Sequence, residues 1–421
     1  TRLASEFGFP EMSMLPKLAV LIVIGSVLAS SQDTGAGEAA VSGSLEAGHR
    51  WLTDIAGSSQ TYRSVVNLGD GPKLLDFNLY AQPSKRGMLD RLLVSGGSWG
   101  GDPYNHLRVD AERYGSYRLS VDYRNLSYFN FLPSFANPLF ARGLETSQRT
   151  FDLDRRLASI ELELLPRRRV SPHVSYRRDS GQGYGITPFV ENGNEYPLRT
   201  RLFDKTDEYR AGVQLNWRRW NLTLEQGGTS FKDDQGIFST EPLLGNRAWP
   251  LLGRQLRLDD LEEGYRVRGR SVFSRIALVV SPAPWIDLYG RFLYSQPRAE
   301  VDHRFDARGL LYFGLTRFLT ARESLLSGEA KQPHSTGSFS FELRPLRGLR
   351  IRESWYTNRF HNASSSLLSE ILLEAALTSN LELLSCDRLI YNYSRQQVEV
   401  LVTPVRWWTL RGGHRYEWGD A

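Results

Sequence analysis

The sequence predicts an all-β chain, a transmembrane antiparallel up-and-down β-barrel of about 16 or more strands. Three observations carry that expectation. Apolar and polar side chains alternate along most of the 421 residues, a short proline hairpin recurs, and the chain opens on an export-type leader.

The leader comes first. Lys17 supplies a positive start, residues 18–28 an apolar run, and Ala29-x-Ser31 a small-residue cleavage site. The run is too short to span a bilayer, which needs about twenty apolar residues. With translation starting at Met12 or Met14, residues 1–11 read as upstream sequence, 12–31 as a signal peptide, 32–40 as a flexible lead-in, and 41–421 as the barrel domain. Export places the mature chain outside the cytoplasm, with the bacterial outer membrane as its expected destination.

Composition narrows the class. The chain is 41% hydrophobic with a mean hydropathy of −0.38, and has no long apolar run after the leader. A helical membrane protein is excluded, whereas a barrel hides its lipid-facing residues at every second position. Aromatic content of 12%, including ten Trp, suits membrane-interface girdles. The net charge of +5 does not mark a nucleic-acid binder, because only six Lys are present and the Arg are scattered among acids rather than gathered in a patch. Arg lining a wet lumen and a GC-rich coding sequence both account for the excess. Cys386 is the only cysteine, so neither a disulfide framework nor a covalent haem attachment is possible.

Alternation then defines fifteen strands. They fall near 41–51, 74–82, 89–98, 105–113, 116–125, 155–165, 170–179, 206–217, 220–230, 267–281, 285–296, 335–344, 349–360, 391–403 and 406–417. In the fifth, Tyr117, Leu119, Val121 and Tyr123 alternate with Arg118, Ser120, Asp122 and Arg124. Runs of about ten residues match a tilted membrane strand, and exceed the five or six usual in sandwiches.

The hairpins share a pattern: alternation, a proline, two or three linking residues, and a bulky restart. Pro166, Pro282, Pro345 and Pro404 mark four of them, spaced 116, 63 and 59 residues apart, and Trp217-Arg218-Arg219-Trp220 marks a fifth. Proline cannot donate to a ladder and belongs at a strand end. Trp217, Trp220, Trp285, Trp407 and Trp408 beside these turns are the expected membrane-interface aromatics. On the opposite side, long polar connections are expected at 179–206, 231–264 and 296–336. Within 362–387 the apolar residues Leu367, Leu368, Ile371, Leu372, Leu373, Ala376 and Leu377 repeat at helical spacing, which reads as a loop helix or an in-folded loop narrowing a pore. An odd count, with residues 417–421 resembling the start of a loop, reads as a barrel lacking a closing strand.

No motif points to catalysis. The sequence contains no G-x-S-x-G, no H-E-x-x-H and no phosphate loop, and its seven His share no ligand spacing. Asp259, Asp260, Glu262 and Glu263, with Asp233 and Asp234, could bind calcium or form a solvated loop face. Arg118, Asp122, Arg124, Arg210, Gln214, Arg291, Arg350 and Arg352 are the expected lumen-lining residues. Mixed charges of this kind suit a pore for small polar or anionic solutes, and also a lumen packed by its own side chains or by a partner.

The stretch Gly100-Gly101-Asp102-Pro103-Tyr104-Asn105, with Tyr117 to Arg124, Phe129 and Pro133, resembles the outer-membrane barrels that sheathe decahaem cytochromes. That resemblance implies a sleeve whose electron carrier is a periplasmic or multihaem cytochrome on another polypeptide. The C-x-x-C often found near the start of such barrels is absent. Three functions follow as expectations: a non-enzymatic porin-like channel without cofactor, a sheath in transmembrane electron transfer, and a soluble secreted all-β protein.

Overall fold

The computed structural model describes residues 40–53, 55–83, 87–131, 150–185, 188–191, 193–247, 249–313 and 317–421. The leader and all but the last residue of the lead-in lie outside them, as does Pro133. The strands are β1 (Ala40–Arg50), β2 (Gly71–Gln82), β3 (Arg91–Trp99), β4 (Tyr104–Arg113), β5 (Tyr117–Asn130), β6 (Phe151–Leu164), β7 (Val170–Gly185), β8 (Pro188–Glu191), β9 (Asn194–Pro197) and β10 (Thr200–Trp217). They continue as β11 (Trp220–Ser239), β12 (Arg257–Ala283), β13 (Ile286–Ser295), β14 (Arg298–Phe313), β15 (Arg317–Lys331), β16 (His334–Leu346), β17 (Leu349–Leu373), β18 (Thr378–Val405) and β19 (Trp408–Asp420). A short helix of about two turns, α1 (Ser59–Val65), lies between β1 and β2.

All strands but β8 and β9 form one 17-stranded sheet of antiparallel neighbours, the up-and-down architecture expected from the alternation. The two halves of β12 pair with β14 and β13, and the two halves of β17 pair with β15 and β16. β13 and β14 are therefore one line broken at Gln296-Pro297, and β15 and β16 one line broken at Gln332-Pro333. Proline removes a donor at each break, and the ladder is carried across by Gln332 N donating to Pro297 O (3.0 Å) and His361 N to Pro333 O (3.1 Å). Counting each collinear pair once, the seventeen strands occupy the fifteen wall positions read from the sequence.

The structure corrects three expectations. The connections at 179–206, 231–264 and 296–336 are mostly strand, because β7, β10, β11 and β12 run on and β14 and β15 fill the third. Residues 362–387 hold no helix: Leu367 opposes Leu384 and Leu372 opposes Ser379 in the β17–β18 ladder. Residues 363–373 of β17 are laddered on both sides, to β15 and to β18, which pairs their backbone groups, and helical spacing of leucines in a short stretch does not compete with that. Residues 417–420 likewise belong to β19 rather than to a loop.

The proline hairpins turn on bulges. Ladder registers shift between Val280 and Ala283, between Leu343 and Leu346, and between Val402 and Val405, each spanning one of Pro282, Pro345 and Pro404. The bulge leaves the proline nitrogen without a ladder partner to miss. The preceding residue donates instead to the turn of the neighbouring hairpin: Thr403 N to Gly348 O, Arg344 N to Trp285 O, and Ser281 N to Arg219 O, at 2.6 to 2.7 Å. Asn216 N to Arg169 O and Leu165 N to Ser116 O extend the relay, so the short turns are tied edge to edge along one end of the wall.

One face of the wall carries an apolar band next to that end. On β10 it comprises Trp217, Leu215, Val213, Ala211 and Tyr209; on β12 Val280, Leu278, Ile276 and Val272; on β13 Leu288, Phe292 and Tyr294. Val272 is 60% exposed, Val174 55% and Tyr209 54%, so this face is open rather than packed. At β2 to β4 a cluster of Leu79, Ala81, Leu92, Val94 and Ala111 is buried on the same face, with Leu89 of the β2–β3 turn against it. Nine residues at about 3.3 Å each give a band roughly 26 Å long along the strand, or about 20 Å tall at a 40° tilt.

Candidate functional site

Directly opposed residues in an antiparallel ladder share a face, so the registers can be followed across the wall from Arg118. It opposes Glu163, which opposes His173, then Gly212, Glu225, Arg275, Leu293, Thr336, Asn358 and Tyr393. Asp122, Arg124, Arg210, Gln214, Arg291, Arg350 and Arg352 fall on this same face, opposite the apolar band. The wall thus brings all eight sequence-predicted polar residues onto one surface.

The surface is laced by ion pairs near the short turns. Arg118 reaches Glu112 at 3.2 Å and Glu163 at 3.6 Å, and Asp122 pairs with Arg124 at 2.8 Å. Glu225 holds Arg275 at 2.8 Å and faces His173 at 3.6 Å. Glu342 lies between Arg344 (2.9 Å) and Arg352 (3.1 Å), and Glu399 meets Arg411 at 2.5 Å. Arg210 pairs with Glu208 two residues along its own strand. Gln214 opposes Ser171 and Thr223. Among the described residues, Arg291 and Arg350 make no ion pair; Arg291 opposes Ala277 and Ser338, and Arg350 opposes Leu401.

Glu225, Glu342 and Glu399 are only 7–8% exposed, against 41% for Ile276, 45% for Phe292 and 60% for Val272 on the reverse side. Carboxylates are therefore sheltered while valines face out, the opposite of a soluble protein's sorting. The five tryptophans gather at the short-turn end. Trp217 and Trp220 stack across the β10–β11 turn with ring centroids 4.2 Å apart, Trp285 and Trp407 lie in turns, and Trp408 opens β19.

Beyond the band the two faces exchange character. The face that was apolar becomes charged, with Arg178 and Lys205 on Asp207 (2.7 and 2.9 Å) and Arg268 on Asp234 (2.6 Å). The polar face becomes apolar: Ile237, Leu261, Phe305, Ala307, Leu311, Leu319 and Leu372 form a buried cluster there. Phe189 and Tyr196 of the β8–β9 hairpin complete it, with ring centroids 5.7 Å apart and Phe189 5.9 Å from Phe305. This hairpin therefore folds over the polar side of the wall.

It is fastened to the β11–β12 connection by two interlocked asparagines. Asn194 Nδ2 donates to Tyr196 Oη and to Leu244 O, both at 3.0 Å, and its Oδ1 accepts from Arg247 N at 2.9 Å. Asn246 Oδ1 accepts from Glu195 N, and its Nδ2 donates to Glu195 Oε2, each at 2.9 Å. Burial pushes the Tyr196 phenol up to about 12. Sequence reading missed this clasp, although Asn192-Gly193 is a hairpin dipeptide that could have revealed it.

Three of the six acids weighed as calcium ligands have a basic partner: Asp259 pairs with Arg257 (2.5 Å), Asp234 with Arg268, and Glu263 faces the His303 ring (3.0 Å). Gly100 and Gly101, within the stretch that carries the resemblance, turn β3 into β4 at φ of +119° and +86°, and Asp102 beside them receives Lys73 (3.0 Å) and Arg50 (2.8 Å). That stretch is accounted for by turn geometry and a buried ion pair.

No protein-family model matches the chain, and no curated protein sequence does. Among solved structures it is similar to the ferric yersiniabactin uptake receptor FyuA from Yersinia pestis, at 9% identity and a TM-score of 0.42 over 71% of this chain and 44% of that one. It is similar also to the siderophore receptor PiuA from Acinetobacter baumannii, at 9% identity and a TM-score of 0.40 over 92% and 65%. The ferric-catecholate import receptor Fiu from E. coli K12 matches at 9% identity and a TM-score of 0.30 over 78% and 68%. The chain spans less than two thirds of the length of the first two.

Proposed function

We propose that this chain is an outer-membrane β-barrel channel, its charged face lining a path for small polar or anionic solutes and its inward hairpin narrowing the mouth. The exchange of polarity between the faces carries this reading. A soluble protein has no reason to present runs of successive apolar positions to solvent, five of them on β10, while sheltering glutamates, and none to reverse that sorting farther along the same strands. A hydrocarbon layer of about 25 Å requires the first arrangement within its thickness and tolerates the second outside it. Tryptophans at the short-turn end fit the near interface, where an amphipathic ring is favoured.

The charged face does no bond-making chemistry in this proposal. The buried carboxylates Glu225, Glu342 and Glu399 are paired, and the guanidiniums of Arg291 and Arg350 carry uncompensated charge on the same face, which favours anions modestly. The apolar cluster under the β8–β9 hairpin opposes passage of hydrated ions at the far end.

The test is reconstitution of the full chain in a planar bilayer. Discrete conductance steps and detergent-dependent extraction are expected. A protein that stays in buffer without detergent, or bilayers that remain silent, would refute the reading. Absorbance at haem wavelengths in protein drawn from its native membrane tests the cytochrome-sheath alternative in the same preparation.

A further inference from the structure

A second cavity lies on the reverse side of the wall, away from the charged face. The β1–β2 connection, with α1, folds against the far ends of β5, β6 and β7. Among the contacts that hold it, Phe131 N donates to Ser64 Oγ (2.7 Å), Asn67 Nδ2 donates to Ser127 O (3.3 Å), and the Arg63 guanidinium sits 3.9 Å over the Phe129 ring. Beneath is a cavity of about 390 Å³. That volume falls within the range of small-molecule sites.

Its walls are mixed in a particular way. Leu52, Ile55, Val66, Leu68 and Phe151 supply apolar surface. Arg63 is partly committed to Asp152 at 3.5 Å. Arg199 lies 5.5 Å over the Tyr184 ring and makes no ion pair among the described residues, so its charge is left for a ligand. Thr150, more than nine-tenths buried, has a hydroxyl without a hydrogen-bond partner among the described residues. An unpaired buried hydroxyl is costly, and a bound acceptor would remove that cost.

Registers give the cavity its height. Phe129 opposes Asp152, which opposes Tyr184, on the face that carries the apolar band. Phe129 is six residues beyond Tyr123, roughly 20 Å farther along β5 at 3.3 Å per residue. The cavity therefore sits beyond the hydrocarbon zone, within reach of water.

We propose that this cavity binds a small amphipathic anion, a carboxylate or phosphate on a compact apolar body. The anion would face Arg199 and Thr150 Oγ1, with the body against Leu68, Val66 and Phe151. Such a site is separate from the solute path and does not depend on conduction.

Calorimetric titration of the full chain in an uncharged detergent tests it, with benzyl phosphate as probe and benzyl alcohol as its neutral counterpart. Saturable benzyl phosphate binding at least tenfold tighter than benzyl alcohol is expected. Arg199→Gln should weaken it at least tenfold, Arg199→Lys should restore most of it, and Thr150→Val should weaken it severalfold. Equal affinities for the two probes, no binding, or an Arg199→Gln protein that binds as well as its parent would overturn the proposal. Adding anionic phosphatidylglycerol should leave the titration unchanged; full competition would assign the cavity to a lipid headgroup and reject the soluble ligand.

Discussion

Glycine 245 shows how much rests on single positions. It has φ of +68°, and a Cβ there would lie 2.0 Å from Asn194 Oδ1, the atom that accepts from Arg247. Gly245→Ala therefore combines backbone strain with loss of the asparagine clasp, together about 1–3 kcal/mol. Single-channel conductance of this variant should rise severalfold while the wall stays folded; unchanged conductance would mean the hairpin does not limit passage. Tyr196 gives a second handle. Its phenol is held neutral to about pH 12, whereas a released tyrosine ionises near pH 10. A folded pKa above the released value means the clasp is fully stable below about pH 10 and loses stability as pH rises toward 12. Conductance should step up in that window, and Tyr196→Phe should lack the step. On the charged face, Glu342→Gln frees Arg352 while Arg344 keeps Asp287, so the anion-to-cation permeability ratio from reversal potentials in a KCl gradient should increase.

At the level of the strand, the two faces of β12 make the sharpest contrast. Ile276 lies mid-band and Ala277 on the charged face opposite Arg291. Ile276→Lys should cost about 2–4 kcal/mol if that face meets lipid. Ala277→Glu should cost under about 1 kcal/mol, because a carboxylate gains Arg291 as partner. Denaturant unfolding from lipid vesicles compares them, and equal costs would contradict the assignment of faces. The same contrast explains which strands were legible. Within the band, alternation is strong, so the centres of all fifteen wall positions and all eight polar residues could be read. Past Tyr209 and Val272 the apolar face turns charged, and alternation of the expected phase stops although ladder hydrogen bonds continue. The strand ends accordingly look like loops, and the leucines of 367–377 like a loop helix or an in-folded loop, since spacing over ten residues cannot distinguish these from strand without a pairing partner.

For the whole molecule, the full chain should extract only with detergent, and its mobility on unheated gels should shift on boiling as the ladders melt. Equal mobility before and after boiling would argue against a ladder-locked wall in the membrane. What the sequence determined by itself was periodic and local: an all-β chain, two chemically distinct faces, hairpins closed at proline, and tryptophans at the turns. Each follows from neighbours along the chain, because a pleated strand sends successive side chains to opposite sides whatever lies beside it. Only the tertiary structure decided the rest. Arg352 on Glu342 is a matter of register, which depends on a cross-strand partner ten residues away. The clasp joins Asn194 to Leu244 and Glu195 to Asn246, and the cavity joins Arg63 to Asp152, across 50 to 89 positions. No local pattern encodes such contacts; they exist because fifteen hairpin-linked lines fold into one wall and bring its connections together at one end.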